Sequence, residues 1–324
     1  HYVFENGHLA VHLESAYDAF RAHCKRIDYE GEMVDLKALR RMLFQPAGGR
    51  VALRAVVERG QVVVTVSNTL GDEPGLRWFT EPCGLTGAQI LRVESPFDYT
   101  QQAALYVPAD LPKPADAHHS ARVAALVARL AAPLGGRTLV LTTTLRALRT
   151  ISEALQAALP EEAGLQVLAQ GQCPKRELMA RFRRGAEPGQ PGCILVASAS
   201  FWEGVDIPGE ALQLVVIDKL PFPPPHDPLV QARTQRLEAD GRSPFNDYFV
   251  PEAAVALKQG AGRLIRRETD QGALVLCDTR LLSMGYGRRL LAALPPMRRL
   301  QSEDELQAVL LAFTKASTMD PAWT

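Results

Sequence analysis

Residues 136–159 read GRTLVLTTTLRALRTISEALQAAL, and this stretch decides the fold. Arg137 to Leu141 is a short, nearly continuous apolar run, the pattern of a strand buried on both faces. Thr142, Thr143 and Thr144 interrupt it, and Leu145 to Leu159 follows as an amphipathic helix. The alternation continues on either side. A helix over Ala121–Ala132 precedes it. Strand Leu165–Leu168, helix Lys175–Arg184 and strands Cys193–Ala197 and Leu212–Ile217 come after, then a helix from about Pro251 to Arg267 and strand Ala273–Cys277. Short apolar strands alternating with helices imply a parallel sheet with helices on both faces, an α/β lobe wound in both directions. Its chemistry is expected at the carboxyl ends of its strands.

Upstream the pattern is less regular. Two β-rich runs occupy Val51 to Leu70, and Leu36, Leu39, Leu43 and Phe44 share one face of a short helix. Val107 to His119, VPADLPKPADAHH, reads as a linker. The 324 residues are enough for two domains. Lys+Arg and Asp+Glu balance at 36 each, so net charge does not advertise a nucleic-acid binder, although a local groove can be basic on a neutral protein. Five scattered cysteines with no CxxC pair argue against a disulfide framework or a zinc site, and no metal ligands are assigned. Cys193 and Cys277 fall inside apolar strands and read as buried small hydrophobes. No apolar run approaches the roughly 20 residues of a membrane span. With His1 in place of a leader, the chain reads as a piece of a soluble cytoplasmic protein, expected to be a monomer.

Three segments carry chemistry. Thr143 and Thr144 place hydroxyls and backbone N–H groups at a strand end where a helix begins, which suits a phosphate. The same residues equally make a helix cap. Residues 197–209, ASASFWEGVDIPG, put Ser198 and Ser200 past a strand end and follow them with the acidic, glycine-hinged loop Glu203, Gly204 and Asp206. Phe201 and Trp202 there fit core packing or base stacking. Residues 257–267, LKQGAGRLIRR, place Gln259, Gly262, Arg263 and Arg266 on one face if the helix runs through them. Gly260 and Gly262 each cost such a helix about 1 kcal/mol relative to Ala, which makes sense if another surface approaches closely. Arginine suits phosphoryl-transfer charge because its planar fork stays ionised and donates several hydrogen bonds.

At these residues the chain resembles superfamily 2 helicases of the DinG/YoaA branch, related to XPD. ASFWEGVD resembles helicase motif V, QGAGRLIR resembles motif VI, and GRTLVLTTT is similar to the strand of motif IV. SPFDY at 95–99, IDKLPFPPPHDP at 217–228 and CDTR at 277–280 also fit that branch. Residues 66–70, VSNTL, resemble the coupling motif III, usually TSATL, from which Val66 and Asn68 depart. The resemblance implies a RecA-like second motor domain over 95–324, preceded over 1–94 by a remnant of the first domain and its arch insertion. It implies that Arg263 and Arg266 are arginine fingers on the γ-phosphate, with Gln259 relaying to DNA. By the same resemblance Glu203, Gly204, Asp206 and Gly262 lie on the nucleotide side. Thr143, Thr144, Ser198 and Ser200 touch the single-stranded DNA backbone, and Ser67 and Thr69 couple the two. Movement is 5′ to 3′.

No GxxxxGK[ST] surrounds any of the seven lysines, and no DEAH-like acidic pair follows a strand. ATP and Mg²⁺ are therefore expected to be bound mainly by a first motor domain, and this chain alone is expected to be inactive. The four-cysteine iron–sulfur insertion of the family does not occur in this chain, leaving a cluster to the full-length protein. Expected partners are single-stranded DNA and a replication or repair protein. The alternative reading is an ATP-independent protein or DNA interaction module with vestigial motor motifs. No GxGxxG follows a strand, which argues against a dinucleotide enzyme.

Overall fold

The structure is a computed structural model that describes residues 97–198, 201 and 211–318, excepting the side chains of Glu161 and 315–318. Upstream it describes 75–81, 83, 84, Ser95 and the backbone of five strands. The chain forms two compact units, His1–Leu70 with Pro74–Pro96, and Gly71–Glu73 with Phe97–Thr324.

In the first unit β1 (Tyr2–Glu5) pairs antiparallel with β2 (His8–Val11). The two β-rich runs between 51 and 70 form a hairpin of β3 (Ala52–Val57) and β4 (Gln61–Val66), with β5 (Gln89–Ile90) on the far side of β3. A single helical turn, α1 (Arg77–Thr80), follows β4 in the chain. The helix read over 36–44 lies outside the described residues.

The second unit holds a seven-stranded, all-parallel sheet. Its strands are β6 (Ala103–Tyr106), β7 (Thr138–Leu141), β8 (Leu165–Ala169), β9 (Gly192–Ala197), β10 (Leu214–Ile217), β11 (Gly272–Leu276) and β12 (Arg298–Leu300). They lie in the order β12-β6-β11-β10-β7-β9-β8. The helices are α2 (Tyr99–Gln102), α3 (His119–Ala131), α4 (Leu145–Ala158), α5 (Lys175–Arg184) and α6 (Pro228–Ala239). After them come α7 (Val250–Ala261), α8 (Arg280–Ser283), α9 (Gly285–Ala293) and α10 (Glu303–Thr318).

Successive strand residues point to opposite faces, so each strand feeds two cores. On one face Leu139, Leu195, Val215 and Leu274 meet Leu178 and Phe182 of α5, Leu257 of α7 and Leu290 of α9. On the other, Val140, Ile194, Val216 and Val275 meet Val127 of α3, Ile151 of α4 and Leu306 of α10. Burying each such side chain is worth about 1.5–3 kcal/mol, which is why the apolar runs of the sequence locate the sheet. Gly136 (φ 86°) is required at the start of β7, since a Cβ there would lie 2.4 Å from the Cys193 nitrogen. Cys193 and Cys277 are buried, as read.

β6 and β12, the last two strands at one side of the sheet, carry no signal that the alternation detects: β6 begins where the short turn of α2 ends, and β12 is three residues long with Arg298 and Arg299 exposed. Residues 107–118 are not a connection between domains. They cross from β6 to α3 inside the second unit, held down by buried Leu111 and by His119. The ring nitrogens of His119 lie 2.9 Å from the carbonyl oxygens of Pro112 and Asp218. No described helix is long and apolar enough to cross a membrane.

Candidate nucleotide and nucleic-acid sites

The strand β7 leads into α4 on one face of the sheet, while its neighbour β10 leads on to α7 on the other. Adjacent strands that exit to opposite faces leave a crevice between their carboxyl ends. Thr142 is buried there and its amide donates to the Ala197 carbonyl at 2.8 Å. The Thr143 amide donates to Oδ1 of Asp218 at 3.0 Å, so it is not open to a phosphate as the sequence reading expects. The reason is Asp218, one residue past β10, whose side chain turns into the same crevice. Thr144 caps α4, its hydroxyl accepting from the Ala147 amide at 3.1 Å. Beyond β9, Ser198 donates through both its amide and its hydroxyl to Gln170 Oε1, at 2.7 and 2.9 Å.

Asp218 and Gln170 are functional candidates that the motif reading passed over. Their signal was a polar residue immediately after an apolar strand. Burial pushes the Asp218 carboxyl up to about 6, against the pull of Lys219, of the Thr143 amide and of His119. Its Oδ2 has no hydrogen-bond partner among the described residues.

The arginine segment differs from its reading. α7 stops at Ala261 instead of running to Arg267, so Gln259, Gly262, Arg263 and Arg266 do not share a helical face. Gly262 is the cap, its amide donating to the Lys258 carbonyl at 2.8 Å. The next amides, of Arg263 and Leu264, reach back only three residues, to Gly260 and Ala261 at 3.2 and 3.0 Å, and the α-helix ends in this tighter turn. Leu264 and Ile265 are drawn into the core, leaving Arg263 and Arg266 half-buried on a loop. Buried Asp270 holds that loop, one carboxylate oxygen accepting from the amides of Arg266 and Arg267 at 2.8 and 2.9 Å. Gln102, at the end of α2, donates through Nε2 to the carbonyls of Arg267, Glu268 and Asp270 at 2.9, 3.0 and 3.0 Å.

Several cations converge on this face. Burial lowers the Arg266 pKa, with Arg183 adding to the effect and Asp270 opposing it. Burial also lowers Lys175, helped by the charge of Arg263. Lys175 lies 4.7 Å from the ring centroid of Phe201, which is buried in the core, one of its two readings. Partly desolvated cations gathered in this way mark a candidate site for an anion. Among the described residues, no group of three or more His, Cys, Asp or Glu side chains is arranged to hold a metal ion.

The two sets of residues therefore occupy different edges. Thr143, Thr144 and Ser198 follow β7 and β9 at the carboxyl edge, whereas the Arg266–Asp270 loop precedes β11 and is clamped by Gln102 just ahead of β6, at the amino edge. Ser67, Thr69, Ser200, Trp202, Glu203, Gly204 and Asp206 lie outside the described residues.

A helicase C-terminal domain profile matches residues 127–297, more than half of the chain and five of the seven strands of the sheet. The chain belongs to the helicase C-terminal domain family. This helicase lobe is 39% identical over 236 residues to the ATP-dependent DNA helicase YoaA of Escherichia coli K12, covering 73% of this chain and 36% of that protein. It is 38% identical over 227 residues to the ATP-dependent helicase DinG of Mycobacterium tuberculosis H37Rv, covering 70% of this chain and 33% of that one. It is 33% identical over 261 residues to the 3'-5' exonuclease DinG of Bacillus subtilis 168, covering 77% of this chain and 27% of that protein. The chain spans about a third of the length of these relatives. Among solved structures, an XPD helicase aligns with 61% of this chain and 36% of its own, at 17% identity and a TM-score of 0.42. The membership agrees with the DinG/YoaA resemblance, and the all-parallel sheet is the RecA-like layer of a helicase second motor domain.

Proposed function

We propose that the chain is the C-terminal motor lobe of an ATP-dependent DNA helicase that moves 5′ to 3′. The observation that carries this reading is the arginine loop, two half-buried guanidiniums on a backbone pinned by Asp270 and Gln102. An anion there offsets the desolvation that depresses Arg266, so the loop fits the terminal phosphate of a nucleoside triphosphate. When bound, ATP supplies the phosphoryl group whose transfer to water drives movement, with Mg²⁺ and most phosphate contacts coming from the first motor domain. Residues 1–94 are then the end of that domain and part of its arch. Arg263 and Arg266 neutralise charge on the transferring group, and Gln259 and Gly262 border the same cleft. Glu203, Gly204 and Asp206 report the nucleotide state to the DNA side, with Ser67 and Thr69 coupling in the first unit. Thr143, Thr144, Ser198 and Ser200 line the path of the single strand along the carboxyl edge, with the Thr143 amide and the Ser198 donors held by Asp218 and Gln170.

Without a GxxxxGK[ST] loop, this chain by itself does not hydrolyse ATP. In the full-length protein, Arg266→Ala is expected to lower DNA-stimulated ATP hydrolysis by about a thousandfold. Unchanged hydrolysis with intact binding of a partner protein would instead favour an interaction module with vestigial motifs.

A further inference from the structure

The loops after β10 and β11 carry a cluster that the motor reading does not use. Phe222 follows β10, Phe245 opens the turn of π-helix before α7, and Tyr286 lies on α9. Their ring centroids are 5.7 Å (Phe222–Phe245), 5.8 Å (Phe222–Tyr286) and 5.1 Å (Phe245–Tyr286) apart. The Arg280 guanidinium lies 5.5 Å from the Phe222 ring centroid. It is held by Asp278, a residue 1% exposed at the end of β11, through bonds of 2.9 and 2.6 Å. Arg289 on α9 donates to the Asn246 carbonyl at 2.8 Å, tying the helix of Tyr286 to the segment of Phe245.

Phe222 and Tyr286 pack partly against the core, but the cluster is not covered on its outer side. Phe245 is 41% exposed, and Leu282 and Met284 beside Tyr286 in the chain are 47% and 48% exposed. These are three of the six large hydrophobics exposed among the described residues, gathered on two adjoining segments. Exposed Arg288 stands next to Arg289 on the same helix. An exposed ring backed by two half-buried ones beside guanidiniums is a combination that binds single strands, rings for bases and cations for phosphates. The sheet order adds continuity. β11, β10, β7 and β9 are successive neighbours, so the cluster sits at the carboxyl edge in line with Thr143 and Ser198.

We infer that Phe222, Phe245 and Tyr286, with Arg280, form a base-stacking platform for single-stranded nucleic acid at the carboxyl ends of β10 and β11. The inference rests on the proposed strand path along that edge. The test is fluorescence anisotropy of this chain with an oligothymidine and with an abasic oligomer of equal length. The chain binds the oligothymidine more tightly. Phe245→Ala weakens that binding about tenfold and leaves the abasic oligomer unaffected, and Phe245→Trp restores it. An unchanged melting temperature for Phe245→Ala shows that the effect is not unfolding. Equal affinity for both oligomers, unaltered by Phe245→Ala, overturns the platform while sparing the strand path, and leaves the patch to a protein partner. Binding of neither oligomer overturns the strand path and the platform with it.

Discussion

Two connections of one sheet, the turn after β7 and the loop before β11, were both read as phosphate sites, yet they are built in opposite ways. In the first the side chains serve the fold: Thr144 caps a helix and the Thr143 amide is taken by Asp218. In the second the fold serves the backbone of the loop: Asp270 and Gln102 spend their hydrogen bonds on main-chain groups, and Arg263 and Arg266 stand half-buried on it. A polar residue at a strand end is thus no measure of availability. What matters is which backbone groups its neighbours already satisfy.

The comparison can be broken or sharpened by substitution. The largest effect is expected at the arginine loop, where Arg263→Ala or Arg266→Ala costs the full-length protein about a thousandfold in ATP turnover. Affinity of this chain for single-stranded DNA should stay unchanged, because the proposed DNA contacts follow β7 and β9 at the other edge. An equal loss of DNA binding would show that the two edges act as one site. Next, Asp270→Ala removes the acceptor for two part-buried amides and should lower unfolding free energy by about 2 kcal/mol in urea titration. ATP turnover in the full-length protein should fall as well, although both arginines are still present. Retained turnover would mean that the clamp serves stability only.

Asp218 gives a pH signature at the other edge. Its folded pKa of about 6 lies above the ordinary 3.8, so the associated stability is complete below about pH 4 and lost as pH rises through 6. Asp218→Asn keeps an acceptor for the Thr143 amide without the buried charge. The variant should be more stable than the parent at pH 8, by roughly 2–3 kcal/mol, and no more stable at pH 4. A gain independent of pH would remove ionisation as the cause. The smallest effect belongs to Thr144→Ala, which should cost about 1 kcal/mol through the lost cap. If DNA affinity of that variant is also unchanged, the hydroxyl acts as a cap and nothing more.

Much of this was legible in the chain. The central strands β7, β9, β10 and β11 are apolar runs because both of their faces are buried, and that pattern needs no tertiary information. Strands β6 and β12, at one side of the sheet, were not legible, because β6 starts where α2 ends and β12 has a single buried residue. The arginines at 263 and 266 were recognisable by residue type and spacing. Their geometry was not, because helix spacing holds only while the helix lasts, and Gly262 ends it. Gln102 and Asp270 were invisible as a pair because 168 positions separate them in sequence.

The amino-acid sequence by itself determined an all-parallel α/β lobe and the chemical character of its strand ends, because burial on both faces and residue chemistry are local properties. Only the tertiary structure decided which of those ends remain available. Asp218 reaches Thr143 across 75 residues, and Gln102 reaches the arginine loop across 165 or more. Hydrogen bonds between distant segments compete for the same backbone groups, and that competition is settled only when the sheet brings the segments together.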